Sequence, residues 1–189
     1  MTAWHLDFAR DDGLAGFVRL ELREVEHVAW YWTYLVGLPG VEGVVVVRDH
    51  EVPLPRQGRA SLEIRADGLW AELWCETPAE HWTFGLEAFG VRLDTAEEAL
   101  HAGGEIGERV PVGLDLEWES TERAIAGVVH GDVLVGRERW TIDAQGWFYE
   151  DGELPPSIPG DVQARVIIPG VTERDLVRTA DGLRWTSLG

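Results

Sequence analysis

The run Leu69-Trp70-Ala71-Glu72-Leu73-Trp74-Cys75-Glu76 constrains the fold more than any other segment, because its apolar and polar-aromatic residues alternate strictly. Side chains alternate faces along a strand, so Leu69, Ala71, Leu73 and Cys75 share one face and Trp70, Glu72, Trp74 and Glu76 the other. The first set is a core face. The second pairs indoles with carboxylates, a mixture that neither open surface nor dry core favours. An aromatic-walled cavity with a few polar groups reconciles the two, and ligand pockets have that make-up.

The same two-residue period recurs along the chain. Strand patterns are predicted at Phe17–Glu24, Val28–Val36, Val44–Val47, Ala60–Ala66, Leu69–Glu76 and His81–Phe89. Further ones cover Pro111–Glu119, Ala124–Val135 and Arg137–Ala144, and a short strand begins at Trp147-Phe148-Tyr149. Val28–Val36 is apolar on both faces, with Trp30, Trp32 and Tyr34 together on one of them. Turn chemistry separates the runs: Gly37-Leu38-Pro39-Gly40, Asp67-Gly68 as a two-residue hairpin signal, Thr77-Pro78 and Gly136. Residues 1–15 read as polar and turn-rich, and Arg48–Pro55 as a charged turn closing on two prolines.

One short helix is predicted near residues 94–102, where Asp94 and Glu97 fit an acidic capping box and Gly103-Gly104 ends the stripe. The closing strands 162–168 and 183–188 are expected to complete the sheet. Many short strands with one helix predict an all-β, mainly antiparallel chain: a lipocalin-like β-barrel or strongly curved sandwich, one domain over residues 1–189.

Composition bounds the function. Thirty-four Asp plus Glu stand against 16 Lys plus Arg, a formal charge of −18. Such a field repels phosphate backbones and anionic bilayers, so nucleic-acid binding is disfavoured. No charged leader and no apolar run of membrane-spanning length is evident, which predicts a cytoplasmic chain without membrane insertion. Cys75 is the lone cysteine and sits on the apolar face, a small buried hydrophobe rather than a nucleophile.

Candidate chemistry is sparse. There is no Gly-x-Ser-x-Gly, phosphate-cradling loop or dinucleotide fingerprint, so no cofactor is predicted. The six histidines show no local ligand spacing; a metal site would have to assemble from separate strands, and none is predicted. Asp49-His50-Glu51 is the densest titratable cluster, and a histidine between carboxylates suits general acid chemistry, the alternative being a solvated turn. His81, opening a strand after Pro78, reaches a ligand if it lies at a barrel mouth. Asp115, Glu117 and Glu119 share one strand face, which usually means solvent and alternatively a polar inner wall. Glu72 and Glu76 are better acid candidates, because indoles share their face; an enclosed carboxylate can protonate an alkene or epoxide, and indoles stabilise developing positive charge.

Four segments together carry a resemblance: Trp30–Val36, Arg48–Pro55, Gly68–Glu72 and Val112–Trp118. They resemble a broad group of actinobacterial proteins of unknown function. That group is more distantly similar to the paired lipocalin-like domains of carotenoid hydratases (hydroxyneurosporene synthases) and to tocopherol-cyclase-like proteins. The likeness spans roughly residues 15–145 and implies a lipocalin-like barrel with an isoprenoid-like or otherwise hydrophobic ligand. Where that group carries an Arg-Asp-x-Ser-Trp-Gly-like segment, this chain has Gln145-Gly146-Trp147-Phe148-Tyr149-Glu150, so no catalytic role carries over.

Three readings follow. The first is a barrel holding a hydrophobic small molecule (isoprenoid-, steroid- or polyketide-like) among Trp30, Trp32, Tyr34, Trp70, Trp74, Trp82 and Trp118. Glu72, Glu76, His81, Asp49 and His50 would then be its candidate acids and bases for cofactor-free hydration, cyclisation or isomerisation. The second is a carrier or sensor with the same pocket and no turnover. The third is an interaction module whose aromatic strands form a homodimer seam.

Overall fold

The computed structural model describes residues 2–55, 61–94, 107–121 and 125–150, together with the backbone of 174–179 and 182–187. Ten antiparallel strands form one sheet: β1 (Thr2–Ala9), β2 (Ala15–Arg23), β3 (Val28–Val36), β4 (Val44–Pro53), β5 (Ser61–Ala66), β6 (Leu69–Thr77), β7 (His81–Leu93), β8 (Glu108–Ser120), β9 (Ala126–Val135) and β10 (Glu138–Glu150). Their spatial order is β4-β3-β2-β1-β10-β9-β8-β7-β6-β5, with an added pairing of β4 to β7. Every neighbour but β1–β10 and β4–β7 is a hairpin partner, so the chain winds up and down around a ring. Eight strands close that ring, and β6 and β5 continue outward from one edge of β7. The all-β, antiparallel, barrel-like class predicted from the strand patterns is the architecture observed.

Closure occurs on one edge of β7. Its first part, His81–Ala88, pairs with β6, while Val91–Leu93 pairs with Val44–Val46 of β4. The crossing point is Gly90. A Cβ there would meet the Val46 carbonyl at 2.8 Å and the Val47 and Val112 methyls at 3.0 and 2.9 Å. Only a residue without a side chain lets three strands converge so closely.

Alternation then sorts the side chains. On β8, Val110, Val112, Leu114, Leu116 and Trp118 are buried inside, while Pro111, Asp115, Glu117 and Glu119 are exposed. On β6 the inward set is Leu69, Ala71 and Leu73. Trp4, Leu6 and Phe8 of β1, Tyr31 of β3 and Phe148 of β10 complete one continuous interior cluster. β2 and β3 are buried on both faces. Val18, Leu20, Ala29, Tyr31 and Leu35 face the interior, whereas Ala15, Phe17, Trp32, Tyr34 and Val36 form a second cluster with Val44, Val46 and Leu93. The two apolar faces of Val28–Val36 thus answer to two separate cores.

Several sequence expectations change. Residues 2–9 form a strand, because Trp4, Leu6 and Phe8 alternate inward between His5 and Asp7. Arg48–Pro53 is the end of β4 and not a turn; a register irregularity opposite Ala29 and Tyr31 lets Val52 point inward. Trp147-Phe148-Tyr149 belongs to a single β10. Among the described residues there is no helix, and the predicted 94–102 helix lies outside them apart from Asp94, as does the predicted strand 162–168. Near the C-terminus, β12 (Gly182–Ser187) pairs with β11 (Arg174–Thr179) as a two-stranded sheet, where pairing with the main sheet was expected.

The interior is tightest around Trp118. Its ring lies 5.2 Å from that of Phe148, which in turn lies 4.9 Å from Trp82 and 5.5 Å from Phe84. Gly127 lies against both strand and ring: a Cβ there would meet the Glu119 carbonyl oxygen at 2.2 Å and the Trp118 Nε1 at 2.6 Å. Overfilling such a site displaces well-packed neighbours. The variant Gly127→Ala is therefore expected to lose about 1–3 kcal/mol of unfolding free energy, read by urea denaturation followed through tryptophan fluorescence.

Candidate functional site

The inward choice of Leu69, Ala71 and Leu73 sends Trp70, Glu72, Trp74 and Glu76 to the outer wall of the barrel. Trp74 is 48% exposed. The indole–carboxylate face expected to line a cavity inside the barrel lies outside it, because larger rings from β7, β8 and β10 already fill that space. On this wall Trp70 stands opposite Glu87, Glu72 opposite Gly85, and Trp74 opposite Thr83. Gly85 leaves room for the Trp70 ring, whose outer carbons come within 3.3 Å of where a Cβ would sit. The indole therefore lies along the sheet instead of standing off it.

Beside it opens a groove of about 550 Å³ across β6–β9, walled by Trp70, Phe89, Pro111 and Leu134, with Arg65 and Glu87 also lining it. Phe89 is 53% and Leu134 40% exposed, among the most exposed large apolar side chains described. The Arg109 guanidinium lies 4.3 Å from the centre of the Phe89 ring and holds its orientation through a cation–π contact. Gly113 forms part of the floor and leaves it flat. Sequence reasoning missed Phe89, Pro111 and Leu134. The available signal was the apolar triplet Val133-Leu134-Val135, whose central residue must face outward if its neighbours are core.

Of the predicted ligand contacts, Trp82 and Trp118 point into the barrel. Their Nε1 atoms are buried with no hydrogen-bond partner. Cys75 packs against the same interior; burial first, and then the Glu150 carboxylate, push its thiol above the ordinary value. Both effects disfavour the thiolate form. Tyr31, fully buried, accepts a hydrogen bond from the Thr33 hydroxyl at 3.0 Å, and burial drives its phenol far up.

The Asp49-His50-Glu51 cluster does not converge. Asp49 Oδ1 accepts the Glu51 backbone N–H at 2.9 Å, which braces the irregular end of β4. His50 stacks on Trp30 at 4.4 Å, and the same indole takes the Arg23 guanidinium at 4.3 Å. His81 faces outward with its Nδ1 3.3 Å from Glu76 Oε2 and its Nε2 3.8 Å from Glu117 Oε2. Glu72 and Glu76 thus part company: Glu72 lies between the two tryptophans of β6, and Glu76 joins His81.

Trp32 and Tyr34 are enclosed on the outer face of β2 and β3. Phe17 contacts both, edge-on to Trp32 at 5.1 Å and stacked on Tyr34 at 5.9 Å. Along the same wall, Arg19 and Arg23 each reach Glu21 at 2.9 Å, and His5 Nε2 approaches Asp7 Oδ2 at 2.9 Å. This face is packed and not open, so Trp32 and Tyr34 serve as core. No family model, curated protein or solved structure matches the chain.

Burial pushes the Glu21 carboxyl up, but hydrogen bonds from Arg23 and Arg19 outweigh it and hold the group below its ordinary 4.5. A depressed folded-state value means that the stabilisation is complete above the unfolded value and drains as pH falls through the folded one. Glu21→Gln, which removes the carboxylate that both Arg19 and Arg23 engage, is expected to lose about 3 kcal/mol at pH 7. The gap between wild type and variant closes in acid, as measured by denaturant unfolding at pH 7 and pH 3.

Proposed function

We propose that this protein binds a hydrophobic small molecule, isoprenoid-, steroid- or polyketide-like, and that the groove on the outer wall of β6–β9 is where it lies. The carrying observation is that groove: about 550 Å³, walled by Trp70, Phe89, Pro111 and Leu134 and open to solvent. Its volume falls in the class of small-molecule sites, roughly 300–1,000 Å³. Flat rings and a glycine floor suit a flat or extended apolar ligand. Arg65 and Glu87 are exposed polar groups that can orient one end of it.

Binding without turnover is the reading we favour. The groove is lined by no serine, threonine, cysteine, histidine or tyrosine. The carboxylates that a hydratase or cyclase mechanism would use, Glu72 and Glu76, lie on a water-facing wall instead of in an enclosed chamber.

Fluorescence titration of the full chain with one representative of each of the three ligand classes tests the proposal. At least one should give a saturable change in tryptophan emission. A Cβ at Gly113 would sit 3.4 Å from the Leu134 Cβ, so Gly113→Val builds its methyls into the floor beside Leu134, and circular dichroism establishes that the variant is folded. That variant is expected to weaken binding by about tenfold or more, a loss of roughly 1.4 kcal/mol, whereas Trp82→Phe inside the barrel leaves it unchanged. Equal affinity of wild type and Gly113→Val would remove the groove as the site.

A further inference from the structure

Strands β7 and β8 bring together donors that are distant in the chain. His81 stands directly opposite Glu119, and Glu117 lies on the same outer face two residues before it. One donor atom from each of His81, Glu117 and Glu119 lies within 4.8 Å of the others. The His81 Nε2 atom is buried, has no hydrogen-bond partner and faces Glu117 Oε2 at 3.8 Å. The other ring nitrogen, Nδ1, lies 3.3 Å from Glu76 Oε2.

Two observations converge. The first is the orphaned nitrogen, since a buried polar atom with no partner carries a desolvation cost that a bound group would relieve. The second is uncompensated charge. Elsewhere carboxylates pair with arginines, as at Arg10–Asp12, Arg19–Glu21, Arg23–Glu26, Arg65–Glu63, Arg92–Glu108 and Arg139–Asp132. Among the described residues no arginine pairs with Glu76, Glu117 or Glu119, although they crowd one imidazole in a chain of formal charge −18.

We propose that His81, Glu117 and Glu119 form a binding site for a divalent transition-metal ion of the zinc class. His81 Nε2 and one oxygen from each glutamate are the protein ligands, and water completes the shell. Glu76, whose Oε2 lies 3.3 Å from Nδ1, would receive the Nδ1–H as a hydrogen-bond donor and so favour the tautomer with Nε2 free to ligate. One imidazole with two carboxylates suits Zn²⁺ better than Ca²⁺ or Mg²⁺, which favour all-oxygen shells. Zinc ligands stand about 2.0–2.2 Å from the ion, so binding requires the two exposed glutamates to draw in towards His81 Nε2.

Isothermal titration of Zn²⁺ into the chelator-stripped full chain at pH 7 tests the site. The expected result is one saturable equivalent that persists in excess Mg²⁺. His81→Gln should abolish that equivalent and Glu119→Gln should weaken it. Glu76→Gln, which removes only the orienting carboxylate, should cost about tenfold in affinity. His27→Asn, at an exposed histidine in the turn between β2 and β3, should bind as wild type does. Circular dichroism establishes that each variant is folded. Absence of a saturable equivalent in the wild type would overturn the proposal, as would retention of full affinity in both His81→Gln and Glu119→Gln, or displacement of Zn²⁺ by Mg²⁺.

Discussion

The pairing of three residues of β4 with three of β7 is the contact on which the rest of the structure depends. Without it, the ten strands would be an open, twisted sheet with two ordinary faces. With it, each alternating strand acquires an inside and an outside, and the two-residue period becomes a statement about enclosure. Gly90 permits this by letting β7 pass from β6 to β4 with no side chain between their backbones. Closure also leaves β5 and β6 outside the ring proper, so their outer faces, with the first part of β7 and with β8, make a broad wall in water.

What could be read in the sequence was the existence of the strands and their two-faced character. Val28–Val36 appears with its exact limits, and the Asp67-Gly68 turn joins β5 to β6 as its dipeptide implies. What could not be read was which face lies inside. Period-2 alternation in β6 separates Leu69, Ala71 and Leu73 from Trp70, Glu72 and Trp74 but does not rank them. The ranking comes from volume supplied elsewhere. Trp82, Trp118, Phe84 and Phe148 fill the interior beside β6, so that strand contributes small and aliphatic groups and turns its indoles out. The aromatic signal was real, but its meaning depended on partners remote in the chain.

The same dependence explains the two misread segments. In β1 the polar His5 and Asp7 and the Asp11-Asp12-Gly13 turn obscured the inward Trp4, Leu6 and Phe8. The outer residues are tolerable in a strand because His5 is buried beside Phe17 and Asp7 on a second enclosed face. In β4 the charges of Arg48, Asp49 and Glu51 suggested a turn. The strand continues because its backbone irregularity redirects Val52 to the core while Asp49 ties down the Glu51 amide. Local composition reported polarity correctly in both places; tertiary burial decided the conformation.

The barrel therefore has two unlike halves. Around β2 and β3 both faces are buried, and the polar groups beside them are spent on one another: Arg19 with Glu21, Glu21 with Arg23, His5 with Asp7. Around β6–β8 one face is core and the other carries unsatisfied chemistry. At one end of that wall lie the exposed rings of the groove; at the other lie His81 and its glutamates, with Glu72, Gly85 and Asp115 in the register between them. The groove end keeps two arginines, Arg65 in its lining and Arg109 against Phe89, whereas among the described residues no arginine pairs with the carboxylates at the other end. The exposed rings and the carboxylate cluster thus lie on the half of the barrel whose outer face meets solvent.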